Sequence, residues 1–108
     1  MAIANIVVGA SNSTLYTSSV TGTQIGNAIT TMIICNTTPS TSANLTLYAV
    51  PSGGTANAGT MIVNALTIPP GETVSLDQEK MVLGSSDTIQ GFSSQATTLT
   101  FTISTLPV

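Results

Sequence analysis

The chain has 108 residues, of which one is a lysine, four are acidic and none is histidine, arginine or tryptophan. Serine and threonine together account for 33 residues, and the net charge is −3. With so few cations the chain cannot neutralise phosphates, which argues against binding nucleic acid or an anionic membrane. The length is that of one domain, and 42% hydrophobic residues suffice for a core. The longest apolar runs, such as 32–35, are four residues long and too short to cross a bilayer.

Residues that favour turns divide the chain into short segments, most of which alternate between apolar and polar residues. In segment 97–104, Leu99, Phe101 and Ile103 alternate with threonine and serine, which is typical of a half-buried strand. No segment carries an apolar stripe at helical spacing. We predict an all-β fold, a single β-sandwich or jelly-roll-like domain over residues 1–108 with eight to nine short, mostly antiparallel strands. The predicted strands are 4–9, 13–19, 28–36, 43–50, 60–68, 72–76, 80–83, 87–93 and 97–105.

Two of these strands, 28–36 and 60–68, are apolar on both faces. Alternation places Ile29, Ile33 and Cys35 on one face of the first strand and Met32 and Ile34 on the other. Such a strand is covered either by loops of its own chain or by a neighbouring chain. Residues 1–71 and 88–108 contain no charged side chain, which favours packing between subunits.

The first residues, 1–12, form either an ordinary first strand or an N-terminal arm that adds a strand to a neighbour. Their apolar side chains, together with those of the two-faced strands, are the candidate interface. The candidate protein-interface residues are Ile3, Ile6, Val7, Val8, Met32, Ile34, Met61 and Val63.

The sequence offers few residues that could form a catalytic or metal-binding site. Without histidine, a serine nucleophile would depend on Lys80 as its base, and no serine is singled out for that role. The four acids, Glu72, Asp77, Glu79 and Asp87, fall within 16 residues on predicted hairpins and turns. They do not follow the spacing of a calcium loop, and few aromatic residues are available to stack a sugar. We therefore predict no catalytic, cofactor-binding or metal site, and a protein that is not an enzyme.

The order of several short motifs resembles a known family. The motifs are Cys-Asn-Thr-Thr at 35–38, a strand running into Pro-Ser-Gly-Gly-Thr-Ala at 45–56, Pro-Gly-Glu-Thr at 70–73, Leu-Asp at 76–77, the segment 83–90 and the threonine-alternating strand 99–103. In this order they are similar to small bacteriophage virion proteins described as capsid decoration (cement) or fibre-associated proteins. The resemblance covers roughly residues 30–104.

The resemblance implies a non-enzymatic β-sandwich subunit of a phage particle, without a cofactor. Its expected partners are further copies of itself, as a homotrimer, and the major capsid protein or another virion protein. The N-terminus has no positively charged region of the kind that begins a signal peptide, so we expect synthesis in the host cytoplasm and a final location in the virion. Decoration of the head and attachment to a tail or fibre, where the protein would bind a receptor or another tail component, both remain open.

Overall fold

The structure, a computed structural model, describes residues 2–76 and 81–108. Within them the chain forms nine strands and no helix, so the predicted all-β fold is confirmed. No strand boundary differs from its predicted position by more than two residues. The strands are β1 (Ala2–Val7), β2 (Ser13–Thr17), β3 (Asn27–Asn36), β4 (Ala43–Val50), β5 (Met61–Ile68), β6 (Thr73–Ser75), β7 (Met81–Leu83), β8 (Thr88–Ser93) and β9 (Leu99–Pro107).

The strands form two antiparallel sheets that pack face to face as a β-sandwich. Sheet A has the order β1-β9-β3-β6, with β7 also paired to β3, and sheet B has the order β2-β8-β4-β5. If β6 and β7 are taken as one interrupted strand, the first strand pairs with the last, the second with the second-last, and so inward to β4 and β5. A long hairpin folded over on itself in this way has the strand order of a jelly roll.

The core lies between the inner faces of the sheets. Strand β9 contributes Leu99, Phe101 and Ile103, all fully buried, while the threonine and serine residues between them point to the outer face. From sheet B, Leu45 and Leu47 meet them, and both are also fully buried. The alternation seen in the sequence therefore separates core from surface along these strands as predicted. No part of the described chain forms a helix that could span a membrane.

The two-faced pattern of β3 has a local cause that alternation alone did not predict. The pairing of β3 with β9 shifts register between Ile29 and Thr31, which marks a β-bulge. The extra residue moves Ile29 to the same face as Met32 and Ile34, and all three are buried. Ile33 and Cys35, predicted to share a face with Ile29, lie half-buried on the opposite face instead.

Strand β5 departs from simple alternation for the same reason. Its pairing with β4 shifts register twice, and Ala65 in the first irregularity has a positive φ of 52°. As a result Val63 and Leu66 both pack against the core, although they are three residues apart. Ile62 is left exposed. The two strands with apolar residues on both faces are thus largely strands in which a bulge changes which residues point to the core.

Each end of β3 is fixed by a buried asparagine. Asn36 donates from Nδ2 to the carbonyl oxygens of Thr41 (2.8 Å) and Ile68 (2.9 Å) and accepts at Oδ1 from the backbone nitrogen of Thr38 (3.0 Å). At the other end Asn27 donates to the Ser18 hydroxyl and to the carbonyl of Ser19, both at 2.9 Å. These amides bond to backbone carbonyls near the strand ends, of which the Ile68 carbonyl is bonded in a buried position.

Candidate interaction surface

The N-terminal part of the predicted interface lies on an edge strand. Strand β1 pairs with β9 of its own chain, from Ala2 opposite Thr105 to Val7 opposite Thr100. Ile3 and Val7 point to the outer face of sheet A and are 69% and 55% exposed. Ile6 points to the inner face, but at the edge of the sandwich it remains 36% exposed. Strand β1, which is apolar except for Asn5, is thus bound to the sheet on one side only.

The remaining predicted interface residues lie elsewhere. Val8, Met32 and Ile34 are at most 2% exposed and belong to the chain's own core, so their side chains offer no surface to a partner. Val8 comes directly after the end of β1, and Met32 and Ile34 come after the β3 bulge. The alternation in the sequence reveals neither feature. Met61 and Val63 are half-buried on β5, at the opposite edge of the sandwich from β1. The structure therefore does not bring the eight residues together as one surface.

The outer face of sheet A carries further apolar side chains that the sequence analysis missed. Leu106 and Val82 both lie opposite Ala28, one on each side of it, so the three form a row across β9, β3 and β7. Leu106 is 43% and Val82 61% exposed. The signal for Leu106 was present in the sequence, since the alternation of β9 continued by two residues places it on the threonine face. Val82 could not be assigned without its pairing partner.

The outer face of sheet B is built differently. Its polar side chains bond to one another: Thr67 donates to Asn44 Oδ1 (2.9 Å), and Gln90 donates to Thr88 Oγ1 (3.1 Å). Tyr48 and Phe92, both half-buried, form a tilted pair with ring centroids 6.4 Å apart. Among the described residues, eight large hydrophobic side chains are exposed, and only Ile62 of these lies on a strand of sheet B.

The two charged residues that the structure describes, Glu72 and Asp87, lie in turns outside the strands. Asp87 caps the turn before β8, where its carboxylate accepts from the backbone nitrogens of Gly84 and Ser52, both at 2.8 Å. Glu72 lies just before β6 and accepts through its backbone oxygen from Asn36. Asp77, Glu79 and Lys80 fall outside the described residues. In the remainder, no group of three or more metal-ligating side chains is found.

Two hollows open near β7, and Met81 lines both. The larger, about 370 Å³, is lined by Met32, Ile62, Val63, Leu76 and Met81. The smaller, about 280 Å³, lies between the ends of β4 and β7 and has Asp87 as its one charged lining residue. Ligand sites combine apolar walls with several converging polar groups that fix orientation. The described walls of these hollows lack that combination, since the Asp87 carboxylate is already engaged with backbone nitrogens.

No protein-family model and no curated protein matches the chain. Among solved structures, a chain from the structure of infectious bursal disease virus Gx strain is similar at 10% sequence identity and a TM-score of 0.44. The match covers 97% of this chain and 29% of that chain, so this chain spans less than a third of its neighbour's length. At that TM-score the likeness carries no conclusion about function. The resemblance to phage virion proteins stays a prediction from the sequence.

Proposed function

We propose that this protein is a non-enzymatic structural component of a virion, which associates through sheet A with its own copies and with other virion proteins. The observation that carries the proposal is the outer face and free edge of sheet A. There, apolar side chains such as Ile3, Val7, Val82 and Leu106 are exposed, and no strand of the sheet carries a charge. Small soluble domains normally surround such surfaces with charged residues, which keep copies apart.

The architecture and composition support this reading over two alternatives. Jelly rolls occur in viral capsid proteins, in lectins and in cupin enzymes, and fold alone does not choose among them. A metal-dependent cupin-type site would draw on imidazole ligands, and the chain has no histidine. Lectins commonly bind sugars through surface aromatics and charged hydrogen-bonding groups, which are scarce here. An assembly subunit needs neither.

Within this function we propose the role of a capsid decoration (cement) protein, which binds the major capsid protein and stabilises the phage head. The motif order of residues 30–104 supports it, since that order resembles decoration proteins. That resemblance implies a homotrimer. The protein would then be present in hundreds of copies per particle, a number that quantitative mass spectrometry of purified virions measures.

The second candidate is a tail- or fibre-associated module that binds a receptor or another tail component. The Tyr48–Phe92 pair on the outer face of sheet B favours it, because the solvent-facing part of these half-buried rings can stack on a sugar. This role predicts a few dozen copies or fewer. Copy number therefore separates the candidates, and absence of the protein from purified particles would overturn both.

The nature of the contacts gives a second test. Burial of apolar side chains is insensitive to moderate salt, whereas exposed ion pairs weaken as the Debye length falls from about 10 Å at 0.1 M to about 3 Å at 1 M. We expect the protein to stay on particles in 1 M sodium chloride and to leave them in denaturant or on heating. Release by sodium chloride alone, with rebinding at low salt, would mean that the partner binds the acidic turns through ion pairs instead.

A further inference from the structure

The free edge of β1 has a defined hydrogen-bonding phase. The backbone nitrogen of Val8 donates to the carbonyl of Leu99 at 2.9 Å, which makes this a hydrogen-bonded pair of the ladder with β9. Because such pairs alternate along antiparallel strands, Ala4 and Ile6 also direct their backbone groups toward β9. Ile3, Asn5 and Val7 direct theirs away from the sheet. In the described part of the chain no strand pairs with that side of β1.

The other edges of the sandwich are less suited to accept a strand. The pairing of β2 shifts register between Thr14 and Tyr16, and that of β5 shifts twice. Bulges of this kind twist an edge away from regular pairing, as do very short edge strands. Strands β6 and β7 are three residues each. By contrast, β1 pairs over all six of its residues without a shift.

We propose that a second copy of this chain occupies the β1 edge, with the two β1 strands antiparallel about a two-fold axis at Asn5. This inference rests on the self-association in the proposed function and names the contact. In that register Asn5 lies opposite Asn5 of the second copy, and Ile3 lies opposite its Val7. The outward-pointing backbone groups of the three residues then face their counterparts as hydrogen-bonded pairs.

The chemistry of the edge fits a copy of itself. Every side chain of β1 is uncharged, so two copies do not repel. The apolar Ile3 and Val7 meet across the axis on the outer face, while the two Asn5 amides can bond to each other. On the inner face Ile6, 36% exposed in the single chain, lies beside Ala4 of the second copy. A two-fold contact of this kind is self-complementary and closes at two copies, in contrast to the three-fold arrangement implied by the phage resemblance.

Opposite charges placed at Asn5 test the axis directly. Asn5→Lys alone and Asn5→Asp alone each set like charges opposite one another, so each should raise the dissociation constant of the dimer by about tenfold or more. An equimolar mixture of the two variants sets opposite charges in register and should recover the dimer as a mixed pair. Native mass spectrometry identifies the mixed pair by mass, and light scattering after size exclusion measures the dimer fraction at micromolar concentration.

Two further variants make the result interpretable. Asn64→Lys puts the same charge on exposed β5, the edge strand of sheet B, and should leave the dimer intact. The double variant Ile3→Thr with Val7→Thr keeps β-branched residues while removing apolar contact, and should weaken the dimer in a chain that remains folded by circular dichroism. A native mass of one or three chains for the unmodified protein, or a mixture that does not pair, would overturn the two-fold contact.

These measurements use the isolated chain, so they are distinguishable from the test of the proposed function. A dimer that is absent from purified virions would overturn the virion role and leave the β1 contact standing. A protein that is abundant in virions but fails the Asn5 mixing experiment would keep its structural role and lose this contact.

Discussion

The two sheets of the sandwich share one core but differ in their edge strands and outer faces. Sheet B has bulges in both of its edge strands, β2 and β5, and its outer polar side chains bond to one another, as Thr67 does to Asn44. Sheet A has an unbulged edge strand, β1, and leaves Val82 and Leu106 exposed on its outer face. The difference is that sheet B satisfies its outer polar groups within the sheet and has irregular edges, whereas sheet A has a regular edge strand and an exposed apolar outer face.

The largest expected effect is the loss of stability when a phenylalanine of the shared core is replaced, compared with one on an outer face. The chain has two phenylalanines: Phe101 in sheet A points inward and is fully buried, and Phe92 in sheet B is half-buried on the outer face. Phe101→Ala should lower the free energy of unfolding by about 3–5 kcal/mol, because it removes a ring and leaves a cavity. Phe92→Ala should cost about 1 kcal/mol. Urea unfolding followed by circular dichroism compares them, and equal losses would contradict the assignment of faces.

The next effect concerns a side chain that joins the two sheets. Asn36, at the end of β3 in sheet A, donates to the carbonyl of Ile68 at the end of β5 in sheet B. Asn36→Ala leaves that buried carbonyl and the one of Thr41 without their partner, so the free energy of unfolding should fall by about 2–3 kcal/mol. Asn64→Ala, at an exposed position of β5, should change it by less than about 0.5 kcal/mol. Thermal unfolding of both variants measures the difference. An Asn36→Ala variant as stable as the unmodified protein would contradict the prediction.

The smallest expected effect comes from replacing an alanine by glycine in each of two edge strands, β5 and β1. The change in the free energy of unfolding should have opposite signs in the two strands. Ala65 lies in the β5 bulge with a positive φ of 52°, where a side chain costs energy and glycine does not, so Ala65→Gly should raise the free energy of unfolding by about 0.5–1 kcal/mol. Ala4 lies in regular β1 and packs against the core, so Ala4→Gly should lower it by about the same amount. Denaturant midpoints resolve the two shifts, and a shared sign would mean that the edges do not differ in backbone geometry.

Much of this fold follows from local signals in the sequence. Alternating side chains and turn residues were enough to place all nine strands, because threonine and serine mark the outer face of a strand such as β9 clearly. The bulges were not predictable, since a bulge shows itself only against the strand that pairs with it. For the same reason Ile29 was assigned to the wrong face and Ile34 to a surface. Ile3 and Val7 are exposed, and an interface at these residues stays a prediction, while the position of Val82 and Leu106 required the register of β3 with its two neighbours.

The strand order also has a consequence for how the chain is made. Strand β9 lies between β1 and β3, and β8 lies between β2 and β4, so sheet B cannot close before β8 has left the ribosome and sheet A cannot close before β9 has. Among the described strands, only β4 and β5 are neighbours both in sequence and in their sheet, whereas β1, β2 and β3 wait for later strands. Most of the final contacts therefore join distant parts of the chain, which slows folding. The nascent chain thus holds several unpaired apolar strands at once, and β1 keeps an open, regular edge even after both sheets have formed.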